Sequence, residues 1–498
     1  MENSSLQISE EKIMQRLDHS IANRVFYYFQ EISKIPHGSG NTKAISDYCV
    51  YFAKEHNLKY YQDEINNVII VREATPGYEH HKPYILQGHL DMVCEKNEDV
   101  DMDFEKDGLD LYIEDGWIRA RGTTLGGDDG IAIAYGLALL EKEDLKSPKL
   151  EVVFTVDEET GMDGAEGIDL SVLEGTDWIN LDSEGEGVIL CGCAGGINSV
   201  IEIPLEHKNV HGHKYVLKIY DLEGGHSGDK IHEGHGNPTL LIGRILQDLD
   251  RKFDIALVNV TGGKKGNVIP RESYVTFIGD EGQRSQIEAT IKQWETELVN
   301  EFSISDPEMK FSLTVEEAGI YESVTKSVQN QILSVLVLIP DGVVTMSHEF
   351  PGHVESSTNA GVCYMNHEIF HIGSFIRSNI VSKKRMIADR IHCLADTLGV
   401  TYVEDGDYPA WEFKKESSLR NNLVAVYKEV YGTEPKLDII HAGLECGLFQ
   451  EKRPELDCVS LGPNLHGIHT PKERMEIASV ERVWEYLLAV LAHGNACC

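Results

Sequence analysis

The chain has 498 residues, 41% of them apolar, enough to bury a large core; this excludes a disordered protein, and the length alone suggests two to four domains. Its 82 acidic residues against 45 Lys and Arg leave a formal charge of −37, which repels phosphate backbones and anionic lipid, so neither nucleic acid nor membrane is an expected partner. The start MENSSLQISEEKIMQRLDHS has no apolar run behind a basic segment, and no later stretch has the length of a membrane span, so the expectation is a soluble, cytoplasmic protein. Ten cysteines lie scattered without a paired C-x-x-C pattern, so neither a disulfide framework nor a thiolate zinc cluster is indicated. Cys191, Cys193, Cys497 and Cys498 read as incidental free thiols.

From Glu10 to Lys34 the apolar residues Ile13, Leu17, Ile21, Val25 and Phe29 recur at spacings of four and predict an amphipathic helix. A second helical pattern covers Ile45 to His56, and strands follow around Lys59–Tyr61 and Asn67–Arg72, an order that points to an α/β fold. Tyr84–Gln87 reads as a buried strand running directly into Gly88-His89-Leu90-Asp91. Side chains two apart in an extended segment share a face, so a neutral His89 could bind a metal while Asp91 takes up its other N–H.

The glycine-rich RGTTLGGDDG, residues 121–130, precedes an Ala-rich apolar helix, placing Asp128 and Asp129 at a helix N-terminus that favours ionised carboxylates. Taken alone, an Asp there is more often an ordinary N-cap; a carboxylate bridging two cations is the other reading. Leu150–Phe154 is another strand-like run, and it leads into Thr155-Val156-Asp157-Glu158-Glu159, where one acid could hold a metal while its neighbour moves a proton. Trp178–Leu181 ends likewise in Asp182. Four strand-like runs are thus expected to precede His89, Asp128, Glu158 and Asp182 in turn.

From about Ser199 the order becomes strand, Gly/His-rich loop, helix, hairpin, helix and strand, and a similar order recurs between Val324 and Val403, predicting a two-lobed α+β insert over 198–407. The Asp-, Gly- and Pro-containing run at 405–409 marks the return to the first domain, so 1–197 and 408–498 form one divided unit. That last stretch carries a helix at Leu419–Tyr431, the loop HAGLECG from His441, a strand at Cys458–Leu461, then His469 and a closing helix at Val480–Leu491.

Together GHLDMV, RGTTLGGDDG, TVDEETGMDGA, LDSE, GGHSG, NVIPRE, HAGLECGLF and GIHTP resemble, in sequence and spacing over nearly the whole chain, the aminoacyl-histidine dipeptidase (peptidase D, Xaa-His dipeptidase) family of co-catalytic zinc metallopeptidases. The resemblance implies an α/β zinc-peptidase domain, with a mixed sheet flanked by helices, interrupted by a lid. It implies two Zn2+ per chain, with Mn2+ or Co2+ as alternatives. His89 and Asp182 would bind one ion, Glu159 and His469 the other, and Asp128 both. Asp129 stands where many relatives have Asn, and alignment of the block selects Asp128 as the bridge; a cis peptide often follows that residue, here Asp128–Asp129.

The resemblance further implies that Asp91 orients His89, that Glu158 is the general base, and that a hydroxide shared by the metals attacks the peptide bond of small peptides. His226 is the expected oxyanion donor. Arg377 and Asn267 are the expected clamp for the substrate carboxylate, which would keep the enzyme to dipeptides, and His441 and Glu445 are expected in the same pocket. Dimers occur among relatives, which leaves a homodimer open. A tripeptidase, carboxypeptidase or deacylase would use the same chemistry, and a catalytically silent binding protein would be expected to have lost part of the metal set. No G-x-S-x-G elbow supports a serine hydrolase.

Overall fold

The computed structural model describes residues 17–495. The described residues form two compact units: one holds residues 17–192, Phe413–Ile439 and residues 445–495, the other Cys193–Glu412 and Ile440–Leu444. The units meet along the chain at 192/193 and 412/413, within five residues of the 197/198 and 407/408 expected from sequence. Strand Gly195–Pro204 pairs with both Ile369–Ser378 and Thr401–Tyr408, which carries all three into the second unit. The short segment from Ile440 also joins that unit, through an Ala194 N–H to Ala442 carbonyl bond of 3.0 Å and a His441 to Ser357 contact of 2.7 Å.

The first unit is built on an eight-stranded mixed sheet in the order Lys59–Gln62, Val68–Arg72, Leu150–Thr155, Tyr84–His89, Asp177–Asn180, Asp457–Ser460, Val188–Cys193 and Lys436–Ile440. Its four middle strands run parallel, in a register that sets His89 beside Thr155 and Gln87 beside Asn180. Their sequences are nearly continuous apolar runs because helices or chain cover both faces.

Helix Gly127–Glu141 is buried almost all round, as its uniformly apolar IAIAYGLALL demands. A Cβ at Gly136 would come within 2.9 Å of Phe154 and Val152, so only glycine lets this helix approach the sheet so closely. The first described helix spans Asn23–Ser33 and buries Val25 and Phe29, but Ile21 precedes it and is exposed; Ile13, expected on the same face, lies outside the described residues.

The second unit is a nine-stranded antiparallel sheet whose two sequence halves join where Ala256–Lys264 pairs with Val354–Met365. Helices Pro238–Phe253, Lys326–Leu338 and Val381–Leu398 bury Ile242, Leu246, Ile332, Leu336 and Ile391 in its core. The first of these starts as its sequence dictates, with the Asn237 side chain accepting the Thr239 N–H and Pro238 in the first turn, where no N–H is needed. Among the described residues no helix is long and apolar enough to cross a membrane, and Cys49, Cys94, Cys191, Cys363, Cys393 and Cys458 are free; Cys497 and Cys498 lie outside the described residues.

Candidate metal centre

The carboxyl ends of the four parallel strands lie on one side of the sheet, the edge where ligands bind in open α/β sheets. His89 is the last residue of its strand, Glu158 and Glu159 follow the Leu150–Thr155 strand in a single 3-10 turn, and Asp182 lies just beyond Asp177–Asn180. The fourth parallel strand, Asp457–Ser460, feeds the loop that carries His469. Asp128 differs from the expected pattern. The strand before it, Trp117–Ala120, belongs to a separate four-stranded sheet, and Asp128 enters from the N-terminus of the buried helix instead.

These residues converge. Asp128 Oδ1 lies 3.1 Å from His89 Nε2, and Asp128 Oδ2 lies 3.2 Å from His469 Nε2. His469 Nε2 is also 2.9 Å from Glu159 Oε1, and His89 Nε2 is 3.9 Å from Asp182 Oδ1. Three overlapping groups result, His89 with Asp128 and Asp182, His469 with Asp128 and Glu159, and His89 with Glu158 and Glu159, their donor atoms lying within 4.8 Å of one another in each. Asp128 belongs to the first two. Asp129 turns away from them, accepting the His89 N–H at 3.1 Å through Oδ2, and the peptide bond between the two aspartates is cis.

The other face of the His89 ring is held by Asp91: Nδ1 lies 3.0 Å from the Asp91 carbonyl and 3.3 Å from its carboxylate. That carboxylate also accepts the N–H groups of Glu158 at 3.1 Å and Glu159 at 3.3 Å, and the Ser39 hydroxyl at 2.8 Å. Burial would raise Asp91, but His89 and these donors keep it below the usual carboxylate range. Two of the acids around it, Asp182 and Glu158, behave oppositely. Burial, with Asp128 and Asp129 adding like charge, pushes Asp182 well up, and burial with Glu445, Glu159 and Asp128 nearby does the same to Glu158.

The substrate residues expected from sequence fall in two places. Glu445 is fully buried in the first unit, its Oε2 accepting from Gln87 Nε2 at 2.5 Å and Thr155 Oγ1 at 2.8 Å, and burial lifts its carboxyl to about 7. His226, Asn267, Arg377 and His441 belong to the second unit. Arg377 is 5% exposed, with Nη2 lying 3.4 Å from His226 Nε2, Nη1 3.3 Å from the Tyr408 hydroxyl, and a buried Nε with no partner. The Asn267 carbonyl accepts the Ser227 N–H at 2.9 Å, beside the His226 strand pairing. His441 is bonded to Ser357 Oγ; burial, and then the Arg377 charge, lowers it to about 3, so its ring is neutral.

The profile of peptidase family M20/M25/M40 matches residues 85–493. The chain belongs to that family. It is 36% identical over 467 residues to the cytosol non-specific dipeptidase of Escherichia coli, covering 93% of this chain and 96% of that one. The crystal structure of aminoacylhistidine dipeptidase from Vibrio alginolyticus superposes with a TM-score of 0.89 at 34% identity, over 97% of this chain and 99% of the other. Aminopeptidase PepT from Bacillus cereus shares the fold, with a TM-score of 0.55 at 14% identity over 95% of this chain and 98% of that one.

For an M20-family chain, the donor set fits divalent cations. Imidazole nitrogens and carboxylate oxygens within 4.8 Å of one another suit zinc-like ions, and the buried Glu158 and Asp182 need positive charge to ionise together with their neighbours. Asp128 and Glu159, accepting hydrogen bonds from the imidazole, raise His469 to about 10, which is the same attraction a cation would feel there.

Sequence reasoning missed Glu473. Only 3% exposed, it accepts the N–H groups of Leu125 at 2.7 Å, Gly126 at 3.2 Å, Gly127 at 2.8 Å and Asp128 at 3.4 Å, fixing the turn that delivers Asp128. It also missed a buried polar ladder below the centre: Asn180 Nδ2 donates to Gln87 Oε1 at 2.7 Å, and Asn180 Oδ1 accepts from Ser460. The available signal was a polar residue within or ending each apolar run, as in YILQ, VVFT, DWIN and DCVS.

Proposed function

We propose that this chain is a cytosolic, metal-dependent dipeptidase that hydrolyses the peptide bond of dipeptides with a free carboxylate, Xaa-His dipeptides such as β-alanyl-histidine included. The observation that carries the reading is the Asp128 carboxylate, shared between a His89–Asp182 group and a His469–Glu159 group. Membership of a peptidase family and the dipeptidase names of two relatives that span nearly the whole chain support it, and the name of the Escherichia coli relative supports the location.

His89, Asp182 and Asp128 would hold one cation, and His469, Glu159 and Asp128 the other; Zn2+ suits these N and O donors, with Mn2+ and Co2+ as alternatives set by availability. Cations bound there would polarise the scissile carbonyl and make an attacking water acidic near neutral pH. Asp91 fixes the His89 ring and, through the N–H groups of Glu158 and Glu159, the turn carrying both acids. Glu158, whose carboxylate is not among the proposed ligands, takes the proton from the attacking water and returns it to the leaving amine.

Arg377, buried with an unpaired Nε, holds the substrate carboxylate, with Asn267 nearby and the neutral His441 in the same unit. His226, protonated on the ring nitrogen that faces the substrate, is the further donor to the developing oxyanion.

The test is hydrolysis of a dipeptide panel, with β-alanyl-histidine and matching tripeptides included, by protein of measured metal content. Dipeptides should be cleaved and tripeptides spared; preferred cleavage of tripeptides would replace this reading with a tripeptidase. Glu158→Gln should keep its metals and lose nearly all turnover, and equal activity in that variant removes the proposed base.

A further inference from the structure

We infer that His207, Glu322 and His367 in the second unit form a separate binding site for a late first-row transition-metal ion, formed by three segments of one sheet. The donor atoms of these three side chains lie within 4.8 Å of one another. His207 opens strand His207–Tyr220, Glu322 lies near the end of Lys310–Val324, and His367 sits in the turn between Val354–Met365 and Ile369–Ser378.

Backbone bonds hold the three segments together. His207 is paired with Val324, the Thr325 N–H donates to the Glu206 carbonyl at 2.7 Å, and the Leu205 N–H donates to the Glu368 carbonyl at 2.8 Å. Most of the ordering cost of bringing the ligands together is therefore met by the sheet itself.

The ring nitrogens are also sorted. His207 Nε2 lies 2.9 Å from the carbonyl oxygen of His367, an acceptor only, so the proton is on Nε2 and the lone pair on Nδ1. That Nδ1 lies 4.0 Å from Glu322 Oε2, and His367 Nδ1 lies 3.8 Å from the same oxygen. Two ligands on one tetrahedral zinc-like ion are separated by roughly 3.3 Å, given bonds of about 2.0–2.1 Å. Closing the remaining gaps takes a turn of the Glu322 carboxylate, whose side chain is 58% exposed, and of the His367 ring, which is 74% exposed and stacks on His207 with centroids 4.5 Å apart.

Two imidazoles and one carboxylate select Zn2+, Cu2+, Ni2+ or Co2+ over Mg2+ and Ca2+, which prefer all-oxygen sites, and they leave a fourth position for water. The carbonyl that fixes the His207 tautomer is the kind of outer partner that metal-binding histidines use. An ion there would tie the ends of two strands to a neighbouring turn. The site is built entirely from the second unit and does not depend on the peptidase reading.

Full-length protein stripped with a chelator and equilibrated at micromolar free Zn2+ tests the inference. The wild type should bind one equivalent more than His207→Gln/His367→Gln, and that variant should keep full dipeptide turnover. Glu322→Gln, which keeps both rings, should weaken the extra equivalent about tenfold or more. Zn2+ should raise the unfolding temperature of the stripped wild type more than that of the double variant. Equal Zn2+ content in the wild type and the double variant overturns the inference, as does a variant that loses turnover together with its metals.

Discussion

Asp91 and Glu158 are joined by a 3.1 Å hydrogen bond from the Glu158 N–H to the Asp91 carboxylate, the same carboxylate that lies 3.3 Å from His89 Nδ1. One buried acid thus positions a proposed ligand and the proposed base together. Asp91→Asn keeps the size and loses the charge. Metal affinity should fall by about 10–100-fold, and kcat should fall even in protein saturated with metal, because the Glu158 turn loosens as well. Metal titration and turnover at saturating metal measure the two separately; a variant fully restored by excess metal would confine Asp91 to the histidine.

Glu473 supports the centre from the other side. Glu473→Ala leaves the N–H groups of Leu125, Gly126, Gly127 and Asp128 without their acceptor in a buried turn. A loss of about 3 kcal/mol in stability is expected, since each buried unsatisfied donor costs about 1–3 kcal/mol and a water can replace part of the set. Denaturant unfolding of metal-free protein measures it without contribution from bound ions.

Arg377 should set the demand for a free carboxylate. Arg377→Ala is expected to raise KM and lower kcat/KM about 30-fold or more on dipeptides, the cost of about 2 kcal/mol for a lost charge-assisted pair. The same substrates with an amidated carboxyl end should be poor for the wild type and little changed by the substitution. A parallel loss on both substrates would assign Arg377 to holding the fold.

Asp341 gives a pH signature away from the metals. Burial raises its carboxyl to about 6, although the Ala360 N–H at 2.7 Å and the Asn237 amide at 3.2 Å donate to it. The folded chain therefore holds a proton that the unfolded chain, with a value of about 3.9, has released. The resulting cost is full above pH 6, declines as pH falls, and is gone below about pH 4. Asp341→Asn should be more stable than the wild type at pH 7, by roughly 3 kcal/mol at most, with the difference vanishing toward pH 4. Thermal unfolding across that range checks the sign.

The sequence was most legible where chemistry and periodicity coincide. The runs ending at Gln87, Thr155, Asn180 and Ser460 are apolar because both sheet faces are covered, and the residues just beyond three of them carry His89, Glu158, Glu159 and Asp182. Glu473 was illegible because TPKERME has the composition of a solvated loop, and only the three-dimensional turn reveals which N–H groups need an acceptor. The exact return from the second unit was illegible because the Asp-Gly-Asp run that reads as a boundary lies inside strand Thr401–Tyr408, on its irregular pairing with Gly195–Pro204. The grouping of His441 with the second unit was illegible for a similar reason: its segment is too short for any pattern, and its contacts with Ser357 and Asn379 come from elements far away in sequence.

Anomalous diffraction from crystals of zinc-loaded protein tests the central claim most directly. Two peaks should flank the Asp128 carboxylate, one beside His89 and Asp182, the other beside His469 and Glu159. A single peak, or peaks that leave Asp128 without a metal on either oxygen, would contradict the account.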